Sequence, residues 1–253
     1  MNDIAVERSG NILSIQLNRP AKKNAMTGSM YVTIAELLDA AATDDQVRVV
    51  LWHGAGDSFS AGNDLEDFVK NPPGPGESPQ ARLMRVLINF EKPLVAAVHG
   101  LAIGGGTTML THCDLVYAAE GTKFQLPFVN LALVPEFGSS YSLPLRFGHV
   151  RAAELILLGK PFDASRAADL GLVTQVVPEE KLLATATETA RALAEKPPAA
   201  VQASKRLIKQ AFREQLEQAV KLENEEFAVR VRSDEAKAVF QAFFAKHRPA
   251  SAA

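Results

Sequence analysis

Short apolar runs alternate along the chain with longer stretches that carry helical spacing. "VRVVLWHGAG" is nearly all apolar and ends in glycines, the look of a strand buried on both faces. "PLVAAVHG", "CDLVYAAEG" from Cys113 and "GLVTQVVP" over 171–178 read the same way. Ahead of them, "IAVERSGNILSIQLNRP" predicts two short strands around a Ser-Gly-Asn turn, hence a hairpin. A helix then opens at Thr27 or Ser29, either of which can cap it, and runs to about Ala42 with Met30, Ile34, Leu37 and Leu38 apolar. Helical patterns over 80–90, 105–111, 150–158 and 179–195 separate the apolar runs. Buried strands alternating with helices predict an α/β core.

After "EKPPAA" the pattern changes. Residues 199–246 are nearly all helix formers, with Leu207, Ile208, Phe212, Leu216, Val220, Phe227, Val231, Val239, Phe240, Phe243 and Phe244 at helical spacing. Such helices need a surface to pack on. The chain therefore divides into a core over 1–198 and a C-terminal helical region over 199–253 that covers the core or a neighbouring subunit. "NPPGPGESP", 71–79, is a loop by composition, either a plain surface loop or the edge of a lid.

Composition narrows the function. Over 253 residues, 27 basic and 29 acidic side chains leave a formal net charge of −2, which argues against a general nucleic-acid or membrane-surface binder. The single cysteine excludes an intrachain disulfide and fits a reducing compartment; Cys113, in "THCDLVYAA", reads as a small buried hydrophobe. "MNDIAVERSG" lacks the basic-then-apolar signature of a signal peptide, and "RPASAA" is no peroxisomal address. No apolar run approaches the roughly 20 residues a bilayer span requires. The expectation is a soluble cytoplasmic protein. His53, His99, His112, His149 and His247 are scattered, so no metal site is expected, and no separate cofactor is expected either.

Several motifs fail on inspection. In "HGLAIGGGTTML" the phosphate-loop spacing puts Gly106 where lysine must stand, and the dinucleotide spacing puts Met109 at the third glycine. No G-x-S-x-G elbow occurs. What three glycines after a buried strand can do is let the backbone turn tightly and open a helix whose first N–H groups are unpaired. Close strand–helix packing is the competing reading. "GDSFSAGNDLEDF" repeats the grammar after "VRVVLWHG", with Ser60, Ala61 and Gly62 leading into a helical start. Two such turns facing one point would form an oxyanion hole. In "FQLPFVNLALVPEFGSSYSLPL" the single charged side chain is Glu136. It is either a helix-start carboxylate favoured by the helix dipole or a carboxylate with shifted proton affinity at a functional site.

"FSAGNDL", "KPLVAAVHGLAIGGG", "HCDLVYAAEGTKF" and "GLVTQVVP", in this order, resemble the enoyl-CoA hydratase/isomerase (crotonase) superfamily. The likeness runs from "IQLNRPAKKNAM" to "AFFAKHRP", nearly the whole chain. It implies a spiral of ββα turns followed by helices, assembled as trimers or dimers of trimers. It implies an acyl-CoA thioester substrate, with coenzyme A as part of that substrate. The implied oxyanion hole is the backbone N–H groups of Asn63 and Gly105. The implied acyl-CoA contacts are Lys22, Lys23, Ala25, Ala61, Asn63, Asp64, Leu65 and Gly105, with Lys246 near a nucleotide phosphate.

Hydratases of this family typically carry two glutamates at positions that here read Thr108 and Phe128. Hydration needs one group to activate water and another to deliver a proton, so a standard hydratase is not expected. "LVPEFGSS" together with "FSAGNDL" is similar to the 3-enoyl-CoA to 2-enoyl-CoA isomerases of the peroxisomal-type branch, which implies Glu136 as the single acid/base. Phe128, Val134 and Phe137 are expected to wall it from water. The Asn63 side chain is expected to cap the following helix; Asp64, Glu66 and Asp67 read as its N-terminal acids. Thr107 and Thr108 read as packing or helix-start residues. The alternatives are an unusual hydratase or other CoA-thioester enzyme on the same scaffold, and a non-catalytic acyl-CoA-binding protein.

Overall fold

A computed structural model describes residues 2–71 and 76–247. The chain opens with the hairpin β1 (Ile4–Ser9) and β2 (Ile12–Leu17), paired antiparallel with Ile4 opposite Leu17. Helix α1 (Gly28–Thr43) starts at Thr27, whose hydroxyl accepts the Met30 N–H. Then come β3 (Val49–Gly54), α2 (Leu65–Lys70), α3 (Pro79–Asn89), β4 (Leu94–Val98) and β5 (Leu101–Ile103). A single helical turn, α4 (Gly105–Thr108), runs into a 3₁₀ segment, Met109–His112. It is followed by β6 (Leu115–Ala119), β7 (Lys123–Gln125), α5 (Ser139–Phe147), α6 (His149–Leu158), β8 (Phe162–Asp163), α7 (Ala164–Asp169), β9 (Gln175–Val177) and α8 (Glu179–Ala194). Helices α9 (Pro198–Gln210), α10 (Arg213–Arg230) and α11 (Asp234–His247) close the described chain.

A six-stranded sheet, ordered β1-β2-β3-β4-β6-β9, is parallel except for β1. A three-stranded sheet, β5-β7-β8, lies beside it. The chain leaves β4 for β5, and β6 for β7, through short turns, so successive turns of a spiral feed both sheets. Gly100 makes the first of these turns at φ 61; a Cβ there would sit 1.8 Å from the Asp57 carbonyl oxygen. This is the α/β, crotonase-like spiral of ββα turns with a C-terminal helical region that the motifs implied.

The large sheet is apolar on both faces, which is why its strands read as continuous runs. Val50, Trp52, Ala96, Val98, Val116 and Ala118 join the main core. Their neighbours Val49, Leu51, Val95, Ala97, Tyr117 and Ala119 pack under Leu182, Ala186 and Ala190 of α8. Val231, just after α10, and Phe240 of α11 are buried in the main core and Leu216 of α10 is buried too, whereas Leu207 and Ile208 are exposed on α9.

Two expectations need correction. The helix over 105–111 is one α turn followed by 3₁₀, and the strand over 171–178 shrinks to Gln175–Val177. Strands β5, β7 and β8 carry too few residues for any period to register, and α5 contains Pro144, which masks its pattern. The loop over 71–79 is described only in part, because 72–75 lie outside the described residues.

Candidate functional site

The segment after β3 comes back against β5. The Ser60 N–H bonds the Leu101 carbonyl and the Ile103 N–H bonds the Ser60 carbonyl, both at 2.9 Å. Met26 pairs with the next residues in the same way: its N–H reaches Gly62 O at 2.7 Å, and the Asp64 N–H reaches Met26 O at 2.9 Å. Gly62, at φ 85, permits this approach, since a Cβ there would lie 2.6 Å from Ile103 O and 3.6 Å from Gly105 N. The two glycine turns are therefore packed backbone to backbone. Among the described residues, neither the Asn63 N–H nor the Gly105 N–H has an acceptor.

Glu136 reaches the same place from the loop before α5. Its side chain is 4% exposed, and burial pushes its carboxyl up to about 7, with the Asn63 amide pulling the other way and Glu223 adding to the rise. The Asn63 Nδ2 stands 3.4 Å from each carboxyl oxygen, and Asn63 Oδ1 accepts the Tyr31 hydroxyl at 2.7 Å. Burial first, then Glu136, holds the Tyr31 phenol well above its ordinary range, so it stays a neutral donor. A Cβ on Gly105 would fall 2.9 Å from Glu136 Oε1 and 3.2 Å from the Tyr31 oxygen. Only glycine leaves the carboxyl this room.

The expected cap role of Asn63 is thus overturned. Asp64 caps α2, taking the Glu66 and Asp67 N–H groups at 3.0 and 3.1 Å, which frees the Asn63 amide for Glu136. Asp64 also pairs with Arg19 at 3.0 Å, and Arg19 bonds the Ala25 carbonyl at 2.6 Å, tying the 19–25 segment to the α2 turn.

The turn that carries Glu136 is conformationally unusual. Phe137 and Gly138 follow it at φ 59 and 69, two left-handed residues in a row. For phenylalanine this costs about 1–2 kcal/mol. The surroundings hold it there. His112 donates from Nε2 to the Phe137 carbonyl at 2.8 Å, its imidazole kept neutral because burial, more than nearby cations, lowers it to about 3. Glu223 of α10 accepts the Gly138 and Ser140 N–H groups, each at 2.7 Å. Sequence reasoning missed Tyr31, His112 and Glu223. Each sits in an ordinary helical pattern or among scattered histidines, and only the fold brings them to Glu136.

Glu136 and the two glycine turns border a cleft of about 820 Å³. Lys22, Lys23, Ala25, Ala61, Asn63, Asp64, Leu65, Gly105 and Glu136 all line it. Lys246 lies on α11, but its side chain falls outside the described residues. At the polar mouth Lys22 stands 3.7 Å from Glu66 and Lys23 pairs with Asp57. The apolar wall is Phe128, Leu131 and Leu133 with Phe68, Phe227, Phe243 and Phe244. Of the wall expected around Glu136, only Phe128 belongs to it. Val134 does not line the cleft, and Phe137 turns inward to the core beside Tyr31 and His112. Thr107 bonds the Ala102 and Gln125 carbonyls and Thr108 the Gly104 carbonyl, so both hydroxyls serve packing. Cys113 is buried and its thiol pushed up to about 12, as a small hydrophobe's would be. Among the described residues no group of three or more His, Cys, Asp or Glu could hold a metal ion, and no helix is long and apolar enough to cross a membrane.

A spiral of this kind, with a deep carboxyl beside two glycine turns, defines a crotonase-like scaffold. The enoyl-CoA hydratase/isomerase family model matches residues 7–251, and the chain belongs to that enzyme family. Enoyl-CoA delta isomerase 2 of Rattus norvegicus is 40% identical over 219 residues, 84% of this chain. The chain spans only 56% of that relative's length. The 1,2-epoxyphenylacetyl-CoA isomerase of Escherichia coli K12 is 35% identical over 245 residues, 94% of each chain. Among solved structures, OdaA of Pseudomonas aeruginosa is 44% identical, with a TM-score of 0.94 over 98% of this chain and 100% of its own.

Proposed function

We propose that this protein is an acyl-CoA isomerase that shifts the double bond of a 3-enoyl-CoA to the conjugated 2-enoyl-CoA. The thioester oxygen accepts the unpaired N–H groups of Asn63 and Gly105, which form the oxyanion hole. Glu136, as carboxylate, takes a proton from C2. The electron pair of that C–H bond moves into the C1–C2 bond, and the negative charge develops on the thioester oxygen, where the two N–H groups stabilise it. The resulting dienolate takes a proton at C4 from the now neutral Glu136, the C2–C3 double bond forms, and the carboxylate returns. Lys22 and Lys23 at the polar mouth suit the phosphates of coenzyme A, and the phenylalanine wall suits an acyl chain.

The observation that carries this reading is the single buried carboxyl at the cleft floor, with an affinity near neutrality. Such a group is ionised often enough to take a proton and binds it long enough to return it. Thr108 and Phe128 leave it without a second acid at the places where hydration would need one. An apolar wall disfavours water, which would compete with return of the proton.

The test is the ultraviolet absorbance of the conjugated thioester when the protein meets a medium-length 3-enoyl-CoA. The expected result is a rise with the native chain and a rate lower by about 10²–10⁴ with Glu136→Gln. Normal turnover by Glu136→Gln refutes the role of Glu136. Hydration of 2-enoyl-CoA with no isomerisation refutes the reaction.

A further inference from the structure

Helix α5 has no cap of its own. Gly138 occupies its N-cap position without a side chain, and the buried Ser139 hydroxyl has no partner. The cap comes instead from Glu223, 85 residues beyond Gly138, whose two carboxyl oxygens take the Gly138 and Ser140 N–H groups. Glu223 is 6% exposed, and its own helix closes behind it: a Cβ on Gly138 would meet Leu216 at 2.3 Å and Val220 at 3.2 Å. A buried carboxylate is costly to place for helix stability alone. Its location directly behind the left-handed turn after Glu136 points to the cleft.

The turn is pinned at several atoms. His112 holds the Phe137 carbonyl, Glu223 the Gly138 and Ser140 N–H groups, and the Ser139 N–H returns to Glu136 O at 3.1 Å. A left-handed phenylalanine persists only where the surroundings over-determine it. Here that geometry sends Phe137 into the core and the Glu136 carboxyl into the cleft. The groups facing Glu136 are Tyr31 from α1, the Asn63 amide from the turn after β3, neutral His112 through the Phe137 backbone, and Glu223 from α10. None of these is a cation. Burial raises the Glu223 carboxyl above its ordinary range while the Ser140 and Gly138 N–H groups pull the other way; in its ionised form it is the charge set against Glu136.

We propose that Glu223 is a positioning residue for Glu136: it fixes the left-handed turn that aims that carboxyl at the cleft, and it lays a second negative charge behind it. The inference rests on the reading of Glu136 as the acid/base. Removing the charge makes ionisation of Glu136 easier; shortening the arm loosens the turn while keeping the charge.

The experiment pairs Glu223→Gln with Glu223→Asp in the full chain. An infrared carboxyl-stretch titration, taken as the difference from Glu136→Gln, reads the Glu136 midpoint without any turnover. Kinetics are then measured per folded molecule. Glu223→Gln is expected to move the midpoint down by about half a pH unit and to lower kcat by about ten- to a hundredfold with KM little changed. Glu223→Asp is expected to keep the midpoint and still lose kcat. An unmoved midpoint together with native kcat in Glu223→Gln makes Glu223 a helix cap only and overturns the proposal. If Glu223→Gln does not fold, native kcat in Glu223→Asp overturns it equally. If the native chain shows no isomerase turnover, the reaction assignment fails, and the titration still decides whether Glu223 acts on Glu136.

Discussion

Replacing Glu136 by glutamine is expected to stabilise the folded chain, and by an amount that depends on pH. The folded carboxyl holds its proton up to about 7, against an ordinary value of 4.5. Below the lower value the group is neutral in folded and unfolded chains and adds nothing. Between the two, the unfolded chain releases the proton while the folded chain keeps it, so stability falls as pH rises. Above about 7 both forms are ionised and the whole cost remains. At about 1.36 kcal/mol per pH unit, the interval from 4.5 to about 7 corresponds to up to about 3 kcal/mol. For a chain of this size that is roughly 6–12 °C in Tm. Glutamine keeps the shape and cannot ionise, so it escapes the cost. The assay is denaturant unfolding of both chains from about pH 5 to about pH 9. Titrations of groups that do not sense Glu136 cancel in the difference, leaving Glu136 and the Glu223 carboxyl coupled to it. The variant's advantage should be smallest at the acidic end and level off on the alkaline side. A difference that does not grow with pH refutes the reasoning, because Glu136 would then not be neutral in the fold below 7.

Two further outcomes follow from particular contacts. Gly105→Ala places a methyl 2.9 Å from Glu136 Oε1; the carboxyl must move, so activity should fall by about 10²-fold with Tm little changed, measured by turnover and thermal unfolding side by side. Lys205→Met removes a buried ammonium that stands 2.7 Å from Oδ2 of the partly exposed Asp114, and strands the Lys92 carbonyl that the same ammonium bonds. Urea unfolding should show a loss of about 1–3 kcal/mol, with kcat per folded molecule unchanged.

Most of the frame was legible in the sequence because it depends on burial. Strands β3, β4 and β6 are covered on both faces, and a two-face strand cannot disguise its apolar run. The start of α1 at Thr27 or Ser29 was legible because capping is a local act, and Thr27 takes the role. The cleft residues were legible through their order of motifs, since glycine turns at Gly62 and Gly104–Gly106 are constrained by close backbone approach. What the sequence did not yield was the use of side chains across long separations. Tyr31 looks like any core aromatic of an amphipathic helix. Glu223 sits in "KLENEEFAVR", where one glutamate among several gives no sign that it alone is buried. Asn63 and Asp64 are adjacent residues that can each cap a helix, and their division of labour is set by Arg19 and Tyr31 on other elements. The small sheet escaped notice because strands of two or three residues owe their existence to neighbours and not to pattern.

The clasp between the Gly138–Ser140 turn and Glu223 spans 85 and 83 residues of chain. On the ribosome, at about 5–20 residues per second, the turn is made roughly 4–17 s before the side chain that fastens it. Through that interval the nascent chain has its glycine turns and its carboxyl, but not the helix that fixes their relation. Until the segment carrying Glu223 has been synthesised and docked, the Gly138 and Ser140 N–H groups lack the acceptor they have in the folded chain, so closure of this turn is a late event of biogenesis.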